Sequence, residues 1–296
     1  MAAEREITED ILSGRLEPRI GLECLLLVSQ GVRPGAIVTV PAELPDGEVL
    51  GAQVDYEFRA RLAGQARDLA TRLADAMERR RKKAVEFKAY VLRSAFENNV
   101  MSSPSYLRHR EAVFALGLDA EESEVRPTIR EWYVHRRENR PQVLELLKRR
   151  REIQRAARTQ FDPSRPVSYY VYPEERDPEY LRSLGRLLGY PECCIEAYVS
   201  GREAAERDPE AIPERRAARQ LESEAPEAEA YWLKDFFPCR PACPAARAKG
   251  REALAALAAV DARLGDLYRE HLRRNLARVK AGPELIRAHE EWLRRR

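Results

Sequence analysis

Apolar residues recur along this chain mostly at steps of three and four, which predicts a mostly helical protein. The clearest stripe lies in residues 58–98. Leu62, Ala66, Leu69, Leu73 and Met77 share a helical face, which resumes at Ala84, Phe87, Val91 and Ala95. A long helix of this kind packs against other helices, folds into a hairpin or pairs across a homodimer. Before it, residues 1–31 read as two short helices. Residues 36–40 (Ala-Ile-Val-Thr-Val) are β-branched and read as a short strand. Pro45-Asp-Gly47 is a turn signal, so residues 49–56 are expected to return as the second strand of a hairpin.

After the stripe, Ser103-Pro104 starts a helix ending near Gly117. Residues 119–124 read as an exposed acidic stretch. Pro127 opens a short helix to Arg137. Pro141 opens another, with Val143, Leu144, Leu147 and Ile153 inward. Two prolines in residues 161–166 mark the expected domain boundary. The expected organisation is a helical domain with a short hairpin (1–162), then a cysteine-site domain (163–296). In the second part, residues 167–172 read as a strand and Asp177-Pro178 as the cap of a helix. Residues 202–229, mostly charged or Ala, read as an exposed insertion. A helix is expected over 244–280, ended by Gly282-Pro283, with a last one carrying Leu285, Ile286, His289 and Trp292. The fold class is mostly α with a minor β component (α+β).

Composition narrows the partners. Charged residues make up 34% of the 296, above the usual quarter, yet the net charge is only +3. That balance does not demand nucleic acid, whose footprint is a local excess of Lys and Arg. The preference for Arg over Lys fits a GC-rich genome or a heat-adapted protein. No run approaches the ~20 apolar residues of a membrane span. The N-terminus lacks the basic-then-apolar order of a signal peptide, so the reading is cytoplasmic. Thiols are normally reduced there, which favours metal or redox chemistry over disulfides, with hyperthermophiles the exception.

Chemistry concentrates in the cysteines. Four of the five fall in two tight pairs, Cys193-Cys194 and Cys239 with Cys243. Proline follows or precedes each pair closely. Pro191 suits a first helical position, and Pro244 places Cys243 at an N-cap. Free N–H groups and the helix dipole favour thiolates at both places. A Cys-x3-Cys spacing serves a zinc knuckle or an iron–sulfur loop. Adjacent cysteines diverge by about 100° on a helix, which suits a wider iron–sulfur cluster slightly better than one zinc ion. Cys193, Cys194, Cys239 and Cys243 are therefore the expected metal ligands. Disulfides between the pairs, a redox-active dithiol, and inert buried thiols are the alternatives. Cys24, in an apolar run, reads as core.

The pattern Gly189-Tyr-Pro-x-Cys-Cys, followed by Phe237-Pro-Cys-x3-Cys closing onto a helix, resembles the DUF483 family of prokaryotic proteins. The resemblance covers about residues 180–250. It implies that Gly189, Tyr190, Pro191, Cys193, Cys194, Pro238, Cys239 and Cys243 form one unit. It implies no activity.

Other chemistry is thinner. His109, His135, His271 and His289 lie far from the cysteine pairs in sequence and read as surface or core residues. No Ser-His-Asp order, nucleophile elbow or Gly-rich phosphate loop is present. Glu192 and Glu196 flank the first pair, where dipole compensation explains them more simply than acid–base catalysis. Basic runs at 79–83, 148–151 and 294–296 could converge to hold RNA or DNA, with Trp132 adding stacking beside Arg136 and Arg137. Solvated helix faces explain each run singly. The leading expectation is a metal-binding protein. A nucleic-acid-binding protein with a cysteine brace and a dithiol oxidoreductase are the alternatives. Whether the protein is an enzyme is left open.

Overall fold

The computed structural model describes residues 2–72, 77–159, 172–205, 208 and 211–294, with side chains described outside 2–3, 63–84, 158, 283 and 285–294. It is mostly helical with a small antiparallel sheet, as the periodicity predicts. Contacts divide the chain into two units. One comprises residues 1–21 and 37–134, the other 22–36 and 135–296. That grouping differs from a linear split at 162/163, because 22–36 and 135–162 fall in the second unit.

The first unit holds α1 (Ala2–Leu12), the strand β1 (Gly35–Val40), α3 (Gly47–Arg72), α4 (Met77–Phe96), α5 (Pro104–Ala115), β2 (Asp119–Arg126) and β3 (Ile129–His135). The sheet order is β1-β3-β2. Residues 49–56 are helix, not the expected strand. Leu50 and Val54, four apart, are buried while Val49 is exposed, so the apolar spacing is helical. The hairpin is instead β2–β3, where a short helix from Pro127 was expected. Trp132, Tyr133 and Val134 are strong strand formers and are buried in the central strand. The acidic β2 pairs because Arg130 of β3 lies 3.4 Å from Glu122 and 3.2 Å from Glu124.

The expected long helix is two helices, α3 and α4. Arg61 donates to Ser94 at 3.0 Å, and Asn99 to Glu57 at 2.6 Å, so the two run antiparallel. The stripe positions between 66 and 84 lie outside the described side chains. Ser103 caps α5, accepting from the Tyr106 N–H at 3.2 Å.

The second unit starts at Leu22, within a π-helical turn (Ile20–Leu26) that runs into α2 (Leu27–Ser29), and Cys24 is buried there as expected. It continues with α6 (Arg140–Thr159), α7 (Pro178–Leu187), α8 (Glu192–Ala204), α9 (Pro213–Ser223), α10 (Pro244–Val260) and α11 (Ala262–Arg294). On α6, Val143 and Leu147 are buried, but Leu144 is exposed and Leu146 takes the inward place. The expected strand 167–172 lies outside the described residues except for Tyr172. Asp177 caps α7, accepting from the Tyr180 N–H at 2.7 Å.

Two further expectations change here. Residues 202–229 are not a bare insertion: α9 buries Pro213, Ala217 and Ala218. The helix expected over 244–280 breaks at Asp261, whose carboxylate accepts the Arg263 N–H at 2.8 Å and starts α11. Gly282-Pro283 does not end α11, which runs on to Arg294. Among the described residues, no helix is long and apolar enough to cross a membrane.

Candidate metal centre

The centre is built from two internal segments, each ending at a helix start, that the second unit brings together. The first is the junction between α7 and α8. Gly189 adopts φ +76°. There the Tyr190 N–H reaches the Gly185 carbonyl at 2.9 Å and the Gly189 N–H reaches the Arg186 carbonyl at 3.0 Å. This paired arrangement ends α7 and needs a left-handed residue. A Cβ on Gly189 would also stand 2.9 Å from Cβ of Arg33. Pro191 is the N-cap of α8, one position before the expected one. Cys193 and Cys194 come next, in the first turn. Ion pairs hold α7 to α8: Arg182 to Glu196 at 2.8 Å and Arg186 to Glu192 at 2.6 Å. Glu192 and Glu196 are thus spent on arginines, and the Arg182 hydrogen bond holds Glu196 below the usual carboxylate range.

The second segment is the loop before α10. Residues 228–231 form a 3₁₀ turn lying against α10. The approach depends on Gly250, where a Cβ would meet the Glu229 carbonyl oxygen at 2.1 Å. α11 anchors residues 231 and 232: Tyr268 donates to the Trp232 carbonyl at 2.5 Å and Asn275 to the Tyr231 carbonyl at 3.1 Å. The Cys243 N–H turns back to the Arg240 carbonyl at 3.1 Å. Cys243 is the N-cap of α10, with Pro244 next, as expected.

The sulfurs converge. Cys193 Sγ lies 3.8 Å from both Cys194 Sγ and Cys243 Sγ, and Cys194 Sγ lies 3.7 Å from Cys243 Sγ. All four sulfurs, Cys239 included, lie within 4.8 Å of one another. None is joined by a disulfide. The group could therefore hold a metal ion. Cys194 and Cys243 are buried, Cys239 is half-buried, and Cys193 is exposed. The Cys239 N–H donates to the Cys194 sulfur at 3.4 Å. Burial pushes the Cys194 thiol upward and, with the crowding of neighbouring sulfurs, lifts Cys239 to about 11. Burial acts the same way on Cys243, but the Ala246 N–H and the neighbouring thiols outweigh it and set this thiol below its ordinary value. Four thiols in this space repel one another as anions, and a cation relieves that repulsion.

Sequence reasoning missed α9. Arg216 donates to the Ala197 carbonyl of α8 at 2.6 Å. One turn later, Gln220 donates to the Cys239 carbonyl at 3.2 Å. This helix therefore grips both cysteine-bearing segments. Burial sets the Arg216 guanidinium below its ordinary value, and the sulfurs of Cys239 and Cys194 act in the opposite direction. The available signal was Pro213 at a helix start followed by the apolar pair Ala217-Ala218, hidden in a charge-rich stretch.

The histidines lie elsewhere. His109 is buried in the first unit. Its Nε2 accepts the Glu17 N–H at 2.9 Å, so Nδ1 donates to the Ser105 carbonyl at 2.7 Å. His135 and His271 are buried, and the His289 side chain lies outside the described residues. The nucleic-acid expectation finds no support. Trp132 is 1% exposed, packed edge-on against Tyr106, and so offers no stacking face. In the 148–151 run, Arg149 pairs with Asp177 at 2.8 Å and Arg150 with the buried Glu174 at 2.7 Å. The side chains of 79–83 and 294–296 lie outside the described residues. Comparison with known proteins adds no second line of argument: no protein-family model, no curated protein and no solved structure matches this chain.

Proposed function

We propose that Cys193, Cys194, Cys239 and Cys243 bind a single zinc ion as four thiolates, and that the ion acts as a structural crosslink between α8 and the loop before α10. The observation that carries this is the sulfur spacing. A Zn–S bond of about 2.3 Å in a regular tetrahedron separates its sulfurs by about 3.8 Å. Three of the separations are 3.7–3.8 Å and the rest stay within 4.8 Å. An iron–sulfur cluster, slightly favoured by the sequence, distributes its thiolates over several irons and needs them further apart. The divergence of adjacent cysteines that favoured a cluster is absorbed by the first turn of α8, where their sulfurs lie 3.8 Å apart.

Charge supports the same reading. Four thiolates around a divalent cation leave two negative charges, and Arg216 together with the N-termini of α8 and α10 offsets them. A site with four cysteine ligands leaves no open position, which suits a structural role. Thiols kept for metal need a reducing compartment, so a cytoplasmic location belongs to this proposal. The motif resembling the DUF483 family is the same motif that builds the site.

Anaerobic purification followed by metal analysis tests the reading. The expected result is colourless protein with one zinc per chain. Replacement by cobalt(II) should give the strong visible absorption of tetrahedral thiolate coordination. Brown protein with several irons and labile sulfide per chain overturns the assignment.

A further inference from the structure

The four thiols are not equivalent. Cys194 and Cys243 are 2% and 1% exposed, whereas Cys193 faces solvent. Cys194 also receives the Cys239 N–H, at 3.4 Å. The Cys193 sulfur lies 3.8 Å from the sulfurs of Cys194 and Cys243. Of the four, Cys193 is thus the most accessible, Cys239 is half-buried, and Cys194 and Cys243 are covered.

Building on the zinc reading, we propose that Cys193 is a covalent-modification site, at which the metal-held thiolate is alkylated by soft carbon electrophiles. Metal binding keeps a sulfur deprotonated, and the thiolate is the nucleophilic form. Burial keeps an electrophile from Cys194 and Cys243 and hinders it at Cys239, and the N–H donated to Cys194 further slows attack there, so the exposed sulfur of Cys193 reacts first. The step balances within the two reactants. A lone pair of Cys193 Sγ forms the S–C bond. The carbon–leaving-group bond breaks, and the leaving group departs as an anion with its electron pair. No external oxidant, reductant or proton is required. The product is a neutral thioether, a weaker ligand than the thiolate, so alkylation loosens the metal. Cys193 lies at the surface end of α8, where the added group meets solvent rather than packed side chains.

The test uses the full-length zinc-loaded protein with iodoacetamide as the probe, limiting in amount. Digestion and mass mapping locate the carbamidomethyl group, and a chromogenic chelator tracks released zinc. Label on Cys193 should lead label on each of Cys194, Cys239, Cys243 and Cys24 by at least about tenfold, with zinc release in step with it. In Cys193→Ser the rapidly labelled site should be absent; because this variant also lacks one zinc ligand, its remaining thiols are compared with those of the zinc-stripped native protein, and matching slow rates are expected. Zinc-loaded protein that is alkylated equally at Cys239, or first at Cys243, overturns this inference and leaves the zinc reading intact. Protein that takes up no zinc overturns both.

Discussion

The ring of Tyr190 packs against that of Phe236, with centroids 4.8 Å apart and planes inclined by 49°. Each residue stands just ahead of one cysteine pair: Tyr190 three before Cys193, Phe236 three before Cys239. The aromatic pair therefore packs the two sulfur-bearing segments against each other. Phe236 also meets Trp232 edge-on at 6.1 Å, which extends the cluster into the core. Phe236→Ala should destabilise the protein by about 3–5 kcal/mol, the usual cost of emptying a buried phenylalanine site. A urea titration measures the loss. If zinc affinity falls with stability, the pairing helps to preform the site. Unchanged stability would count against this account.

On the proposed zinc reading, Cys239→Ser should release the metal and lower the thermal midpoint. A hydroxyl is a far poorer ligand than a thiolate, and three sulfurs alone would leave the tetrahedral site incomplete. Metal analysis and calorimetry on the same preparation check both statements. Full zinc occupancy in the variant excludes Cys239 as a ligand.

α9 offers a separate test of how the site is held. Arg216→Met removes the hydrogen bond to Ala197 and the positive charge beside the sulfurs while keeping an apolar stem. Zinc affinity should drop by about 10–100-fold, the range seen when partners behind metal ligands are lost. Gln220→Leu, which removes the bond to the Cys239 carbonyl, should weaken binding less because no charge is lost. Competition with a calibrated chelator ranks the two. Equal, negligible effects would reduce α9 to a packing element.

Gly189→Ala should be costly for two independent reasons. The residue sits at φ +76°, and the added Cβ would lie 2.9 Å from Arg33 Cβ. The left-handed conformation alone costs about 1–2 kcal/mol for an L-residue. Urea midpoints for Gly189→Ala and Gly189→Asn separate the two effects, since Asn tolerates the backbone conformation but not the crowding.

In the first unit, His109 gives a pH signature. Burial lowers its pKa below the ordinary value of 6.5, and its Nε2 must stay unprotonated to accept the Glu17 N–H. The unfolded chain therefore takes up a proton before the folded one does. Stability is full above about pH 6.5 and falls as pH drops through that value towards the folded pKa. Urea midpoints from pH 7.5 to 5 should fall more steeply for the native chain than for His109→Gln. Parallel slopes would exclude this histidine as the source.

The chain announced much of its site locally. Two proline-flanked cysteine pairs specify two helix starts, because proline lacks an N–H and fits where helices leave N–H groups free. Ser103 and Asp177 announced their caps in the same way. These features depend on neighbours a few residues away, so the sequence alone determined them.

What only the tertiary structure decided depends on partners far along the chain. The acidic residues of β2 become a strand because Arg130 lies across from them. Residues 49–56 become helix because the face carrying Leu50 and Val54 is the one buried. The stripe over 58–98 divides into two helices because it finds its own partner. Above all, the distance between Cys194 and Cys243, 49 residues apart, was invisible in the sequence. Spacing along a chain fixes which thiols stand at helix ends, but only packing, here of Tyr190 on Phe236 and of α9 across both segments, sets how far apart their sulfurs lie.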